Sequence, residues 1–229
     1  VLMDTSSQLL PVILLSLYVS GVALVIATLI GLPLGALLAL RPVPGKRFWE
    51  LLIYTGMGLP PVVVGLFVYL LLSRSGPLGW LGWLFTAPAM ITAQVIIALP
   101  MVAGLALTAV EGLDPSLRLQ LRALGASPNQ VMWTLLGEAR SGVLSAIVAA
   151  FGSIISEVGA VMLVGGNIEG QTRVLTTAIV LETRQGEFGL ALALGAVLLT
   201  LTFIINYWLV RAGQRRETAA WRAEARPGR

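Results

Sequence analysis

The sequence predicts an all-α protein that crosses a membrane five times, and three observations predict it. The 229-residue chain is 57% hydrophobic with a mean hydropathy of +0.89, and charged side chains make up only 11% of it, where a soluble domain carries about a quarter. Its apolar residues fall into five runs, about 12–40, 48–72, 88–109, 141–164 and 188–210, each near the ~20 residues that a spanning helix needs. Its cations also fall on one side. With the N-terminus outside, Arg41, Lys46, Arg47, Arg118, Arg122, Arg140 and the six arginines from Arg211 onward are cytoplasmic, leaving Arg74, Arg173 and Arg184 outside, a split of 12 to 3. Short loops rich in Lys and Arg stay on the cytoplasmic side, so five spans with the C-terminus inside follow.

The first run is too long for a signal-peptide core and reads as a retained span. Within it Ala23, Ala27, Gly31, Gly35 and Ala39 recur every four residues, a stripe of small side chains that lets another helix approach closely. The second run is interrupted by GMGLPPVVVG, residues 56–65, and the third by Pro100. Pro60 and Pro61 lack backbone donors and must kink or break their helix, which is tolerated at membrane depth where protein or a watery cavity satisfies the freed carbonyls. Such a break fits either a plain kink or a transport pathway.

Between the third and fourth runs lies the longest basic loop, about 111–140. Asp114 followed by Pro115 is a helix cap with a first-turn proline; Leu113, Leu117, Leu121 and Leu124 fall on one face, with Arg118 and Arg122 on another. Gly125 stands where a left-handed residue would end that helix, and Ser127 with Pro128 starts the next. The residues alone allow two placements for this helix, turn, helix unit: flat on the membrane interface, or plugged into a groove on a cytoplasmic partner.

The fourth run repeats the small-residue pattern at Gly152, Ser156 and Ala160, beside Ser141, Ser145 and Ala149, and contains one acid, Glu157. On a continuous helix to Val164, Glu157 lies about 10 Å below the outer end. A charge at that depth must face protein or water, and a carboxylate repels an anionic cargo, so a structural bond to a neighbouring helix near a gate is favoured over substrate contact. Beyond it, Gly165, Gly166 and Asn167 release the chain from the helix. Thr172, Arg173, Thr176 and Thr177 offer hydroxyls and a cation to an oxyanion or a docked protein, and the threonines serve equally well as helix-surface hydrogen bonders.

Zero cysteines exclude disulfides and thiolate metal sites, and zero histidines remove the commonest metal ligand and general base. The basic tail, 214–229, reads as a topology signal and a contact for lipid headgroups, not as a nucleic-acid site. No phosphate-binding loop is present: Gly45-Lys46 is followed by Arg47, and Leu40 stands where the first glycine would be.

The run LRALGASPNQVMWTLL resembles the coupling loop of ATP-binding-cassette importer permeases, whose pattern is Glu-Ala-Ala, three residues, Gly, nine residues, Ile, one residue, Leu-Pro. Gly125 matches the glycine and Leu135 the isoleucine; Leu119, Gln120 and Leu121 replace Glu-Ala-Ala, and Gly137 and Glu138 replace Leu-Pro. The stretch EVGAVMLVGGNI, with TRVLTTAI and LET after it, is similar to the tungstate-type (tungstate/molybdate) branch over nearly the whole chain. The resemblance implies one five-helix permease domain over 1–213, working as a homodimer in a prokaryotic plasma membrane. It implies two cytoplasmic ATPase subunits engaged through Leu119, Arg122, Ala123, Gly125, Ala126 and Ser127, and an external oxyanion-binding protein. The gate and pathway candidates are Pro60, Pro61, Pro100, Ser156, Glu157 and Gly159; those for substrate delivery are Gly165, Gly166, Asn167, Thr172, Arg173, Thr176 and Thr177. No metal or cofactor is expected on this chain, with ATP and Mg held by the partner ATPase. The importer reading is weighed against a membrane scaffold or receptor subunit without a pathway, and against an intramembrane enzyme, for which Glu157 lacks an ionisable partner.

Overall fold

The computed structural model describes the backbone of residues 2–224 and the side chains of residues 9–211, so the side chains of the basic tail lie outside the described residues. Among the described residues all regular structure is helical. Helix α1 runs Leu2–Leu40, α2 Lys46–Met57, α3 Pro61–Leu72, α4 Ala87–Glu111, α5 Pro115–Ala123, α6 Pro128–Glu138, α7 Arg140–Ile155, α8 Gly159–Gly165, α9 Leu175–Gln185 and α10 Phe188–Glu224. Three of these are long and apolar enough to cross a membrane by themselves. By length and composition alone the count rises to as many as five if α2 with α3, bent by 101°, and α6 with α7, bent by 75°, are each counted as one broken span.

The core is built where α1 lies against α4. Ala23, Ala27 and Ala36 of α1 and Ala98, Val102, Ala103, Ala106 and Leu107 of α4 are fully enclosed. A side chain on Gly31 would stand 2.9 Å from Val102 Cβ, and one on Gly35 would meet the Ala103 carbonyl and stand 2.9 Å from Leu107 N. The small stripe of α1 therefore brings two backbones together, and dispersion over the whole seam holds them without a hydrophobic driving force from water. The outer faces of α3 and α10, with Val63, Leu66, Phe67, Leu192, Leu199 and Phe203, stay uncovered in the single chain.

Three expectations change. Pro100 does not interrupt the third span, because α4 continues through it with the proline ring against Gly56, where a Cβ would come 2.7 Å from Pro100 Cβ. The fourth span is not continuous from 141 to 164, because the helix stops at Ile155 and restarts at Gly159. The depth estimate for Glu157 falls with it. The small-residue pattern of that span is split as well: Ser141, Ser145 and Ala149 face out of the chain, nothing within 4 Å would meet a Cβ on Gly152, and Ala160 is enclosed beyond the break.

Candidate functional site: a docking knob and two broken spans

At the basic end of the bundle, local chemistry builds the knob. Asp114 Oδ1 accepts from the Ser116 N–H at 2.8 Å, and Pro115 occupies the first turn of α5. That bond holds the Asp114 carboxyl below its ordinary value, so the cap is complete above the ordinary carboxylate range and is lost as pH falls through the lowered value. α5 ends in a Schellman turn: the Ala126 N–H bonds Leu121 C=O and the Gly125 N–H bonds Arg122 C=O, both at 3.0 Å, with Gly125 at φ 82°. Ser127 and Gln130 then form a capping box, Ser127 N–H to Gln130 Oε1 at 2.8 Å, which caps α6 just before its first residue, Pro128.

The knob is fastened to the spans. Val131, Met132, Leu135 and Leu136 of α6 are buried with Ala36 of α1 and Val110 of α4, and Leu113, Leu117 and Leu121 lean on the same cluster. Leu124 departs from the expected stripe. It caps α5 and is 84% exposed, and Leu119 is 67% exposed, so both present apolar surface on the outside of the knob. Arg122, Ala123 and Ser127 are exposed and Ala126 half-buried around it. Beside the knob, Lys46 ties α2 to α4 through Glu111 at 2.7 Å and reaches Glu50 at 3.4 Å.

Deeper in the bundle the two broken spans lean on each other. Pro60 is the exposed residue before α3 and Pro61 its half-buried first residue, as a missing N–H permits. A Cβ on Gly65 of α3 would lie 2.6 Å from Ala160 Cα of α8, and one on Gly159 would lie 2.6 Å from Val62 Cγ2. Glu157 sits between α7 and α8, half-buried, and its Oε1 accepts from the Ala160 N–H at 3.0 Å. Its bond is thus to the backbone of the next helix of its own span, where the break frees donors. Ser156 is exposed and folds its hydroxyl back to Gly152 C=O at 2.8 Å. Gln94, unforeseen in the sequence, is buried on α4 and donates to Ile154 C=O at 2.9 Å, adding a bond from another helix to a carbonyl at the break that also accepts from the Glu157 N–H at 3.3 Å. An amide inside a run of alanine and isoleucine was the available signal.

At the far end the threonines take the hydrogen-bonding role, one of the two that the sequence left open for them, inside the chain and not on its surface. Thr172, Thr176 and Thr177 are buried, and their hydroxyls are used inside the chain. Thr172 donates to Gly165 C=O at 2.6 Å and accepts from Ile168 N–H at 2.9 Å; Thr176 donates to Glu157 C=O at 3.1 Å; Thr177 bonds the Val174 backbone at 3.0 Å. Gly166 and Asn167 both adopt positive φ, 73° and 52°, to turn the chain, and a Cβ on Gly165 would crowd Met90. These groups shape the loop and anchor α9. Arg173 remains, paired with Glu169 at 3.4 Å, on the wall of a cavity of about 560 Å³ between α1, α9 and α10 that also meets Glu182. Thr172→Val should leave a buried N–H and C=O without partners, a loss of about 1–3 kcal/mol. A drop in melting temperature in detergent would register it, and an unchanged melt would refute the role given to this hydroxyl.

A bundle with two broken spans side by side, and a capped helical knob fastened to the ends of α1 and α4, defines the membrane component of a transporter driven from outside the bundle. The chain belongs to the family of binding-protein-dependent transport system inner membrane components, whose model matches residues 31–217. It is 44% identical over 205 residues to a probable anion ABC transporter permease protein of Haloferax volcanii, covering 87% of this chain and 88% of that one. It is 38% identical over 205 residues to the tungstate uptake system permease protein TupB of Peptoclostridium acidaminophilum, covering 90% of each. An inward-facing structure of the MetNI methionine ABC transporter shares the fold, with a TM-score of 0.69 at 23% identity over 93% of this chain and 95% of that one. The protein is an ABC importer permease subunit, a multi-pass component of the inner membrane.

Proposed function

We propose that the chain forms the membrane pathway for a tetrahedral oxyanion dianion, tungstate in the first place, received from an external binding protein. The observation that carries this is the 38% identity to a tungstate uptake permease across 90% of both chains. In the working assembly two copies pair, cytoplasmic ATPases holding ATP and Mg seat the exposed Leu119 and Leu124 of the knob, and this chain performs no hydrolysis. ATP-driven closure pulls the knob; the apolar cluster under α6 passes that motion to α1 and α4, and the α3–α8 pair moves as one body because Gly65 and Ala160 leave no slack. Pro60, Pro61, Ser156, Glu157 and Gly159 lie at the joints of that body, with Pro100 braced against Gly56.

The choice between tungstate and molybdate belongs to the binding protein. Glu157 has the wrong sign to hold a dianion, and the threonine hydroxyls are already bonded, so nothing in the joints discriminates two ions alike in charge and shape. Reconstituted with its ATPase and binding protein, the permease should accumulate tungstate in an ATP-dependent way. Substituting a molybdate-selective binding protein able to dock should change the cargo. Arg173→Ala should lower throughput and leave the tungstate to molybdate ratio alone; a changed ratio with the same binding protein would place selectivity in the membrane.

Orientation follows from the charge split, with the N-terminus outside and the knob in the cytoplasm. A cysteine at Ser75 should react with an impermeant thiol reagent on sealed cells and one at Asn129 should not. Both sites are exposed, so labelling of Asn129→Cys from outside overturns this topology.

A further inference from the structure

A small notch opens beside the knob. Its volume is about 150 Å³ and it lies between the end of α1, α5 and α6. Arg41, Arg118 and Arg122 line it, and no carboxylate does. Among the described residues none of the three arginines has an ion pair. Arg118 is fixed in place by donating through Nη2 to the Leu40 carbonyl, one of the last acceptors of α1, and the rest of its five-donor fork stays available. Arg118 and Arg122 stand at i and i+4, where like charges repel. A third cation at the same notch adds to that repulsion, and an anion seated among the three would relieve it.

We propose that this notch binds a phosphate-type oxyanion, held by the guanidinium forks of Arg41, Arg118 and Arg122. The fork geometry suits tetrahedral oxyanions, since each arginine offers two parallel N–H donors. Leu37, Leu40 and Met132 complete the wall, so one side of the site is apolar and continuous with the spans. That combination fits the phosphate of an anionic lipid whose acyl chain runs down α1, at the depth where basic pockets between helices take up headgroups. A free phosphate from the cytoplasm would use the same donors. The site adjoins the coupling helix, so its occupant holds α5 to the end of α1 at the place where ATPase motion enters the bundle.

The test uses the intact transporter in nanodiscs of phosphatidylcholine alone, of phosphatidylcholine with phosphatidylglycerol, and of phosphatidylcholine with inorganic phosphate added, and counts bound molecules by native mass spectrometry. Wild type should retain phosphatidylglycerol, and Arg41→Gln and Arg118→Gln should each weaken retention about fivefold. Arg47→Gln removes an equal, exposed charge outside the notch and should leave retention unchanged. Binding of phosphate with no lipid preference, still lost in Arg41→Gln, would support the site and identify its ligand as the free ion. Equal losses in Arg47→Gln and Arg41→Gln, or no binding of either probe to wild type, would overturn it. Arg41 is exposed and makes no bond to another element, so its variant folds whether or not Arg118→Gln does.

Discussion

Gly35→Ala is expected to force the α1–α4 seam apart with a single added methyl group. The added Cβ meets the Ala103 carbonyl oxygen closer than any real contact and stands 2.9 Å from Leu107 N, so its obstacles are backbone atoms of α4 that no rotamer can move aside. The α1–α4 seam must open along its length, and every enclosed alanine beside it loses contact together. Overpacking of this kind costs about 1–3 kcal/mol and reaches the upper end where backbone is the neighbour. The folded fraction recovered by size-exclusion chromatography in mild detergent should fall sharply, with a lowered melting temperature. Gly152→Ala provides the contrast, since no atom within 4 Å would meet its Cβ in this chain. If Gly35→Ala melts like wild type, the close approach of the two backbones is wrong.

Gly125→Val should do the opposite: leave the bundle intact and uncouple it. No atom within 4 Å would meet a side chain at Gly125, so sterics with neighbours play no part and the cost is in the backbone. At φ 82° a β-branched residue carries about 1–3 kcal/mol of strain, relieved by unwinding the Schellman turn that sets α5 against α6. Leu119 and Leu124 then lose their fixed direction while the α6 anchor of Val131, Met132, Leu135 and Leu136 stays buried. Insertion and melting temperature should match wild type, and stimulation of the reconstituted ATPase should fall about tenfold or more, the equivalent of ~1.4 kcal/mol at the docking step. Asn tolerates the left-handed region better, so Gly125→Asn should recover part of the loss. Full stimulation by Gly125→Val would mean that the knob only rests on the membrane.

What the sequence determined alone was set by short-range physics. Runs of about 20 apolar residues require helices in lipid, Asp114 with Pro115 and Ser127 with Pro128 begin helices wherever they stand, and Gly125 ends one because its neighbours cannot adopt its φ. The α2–α3 bend at Pro60-Pro61 follows from the same kind of rule, since two missing donors act within one turn. Tertiary contact decided the rest. The break at Ser156–Val158 contains no proline or glycine; it is stabilised by Gln94 from α4, sixty positions away, and by the Thr176 hydroxyl on the Glu157 carbonyl. Helix α9 is seated by the Leu175 N–H on Ser16 Oγ at 2.8 Å, across 159 positions. Pro100 reads as a breaker and sits inside a continuous helix, since Gly56 of α2 accommodates its ring. The threonines of 172–177 have the composition of an anion site, and only their partners, the carbonyls of Gly165, Val174 and Glu157, make them part of the scaffold. Hydrogen bonds and close backbone approaches between residues distant in the chain leave no period or local signature, so these features became legible only once the helices were placed against one another.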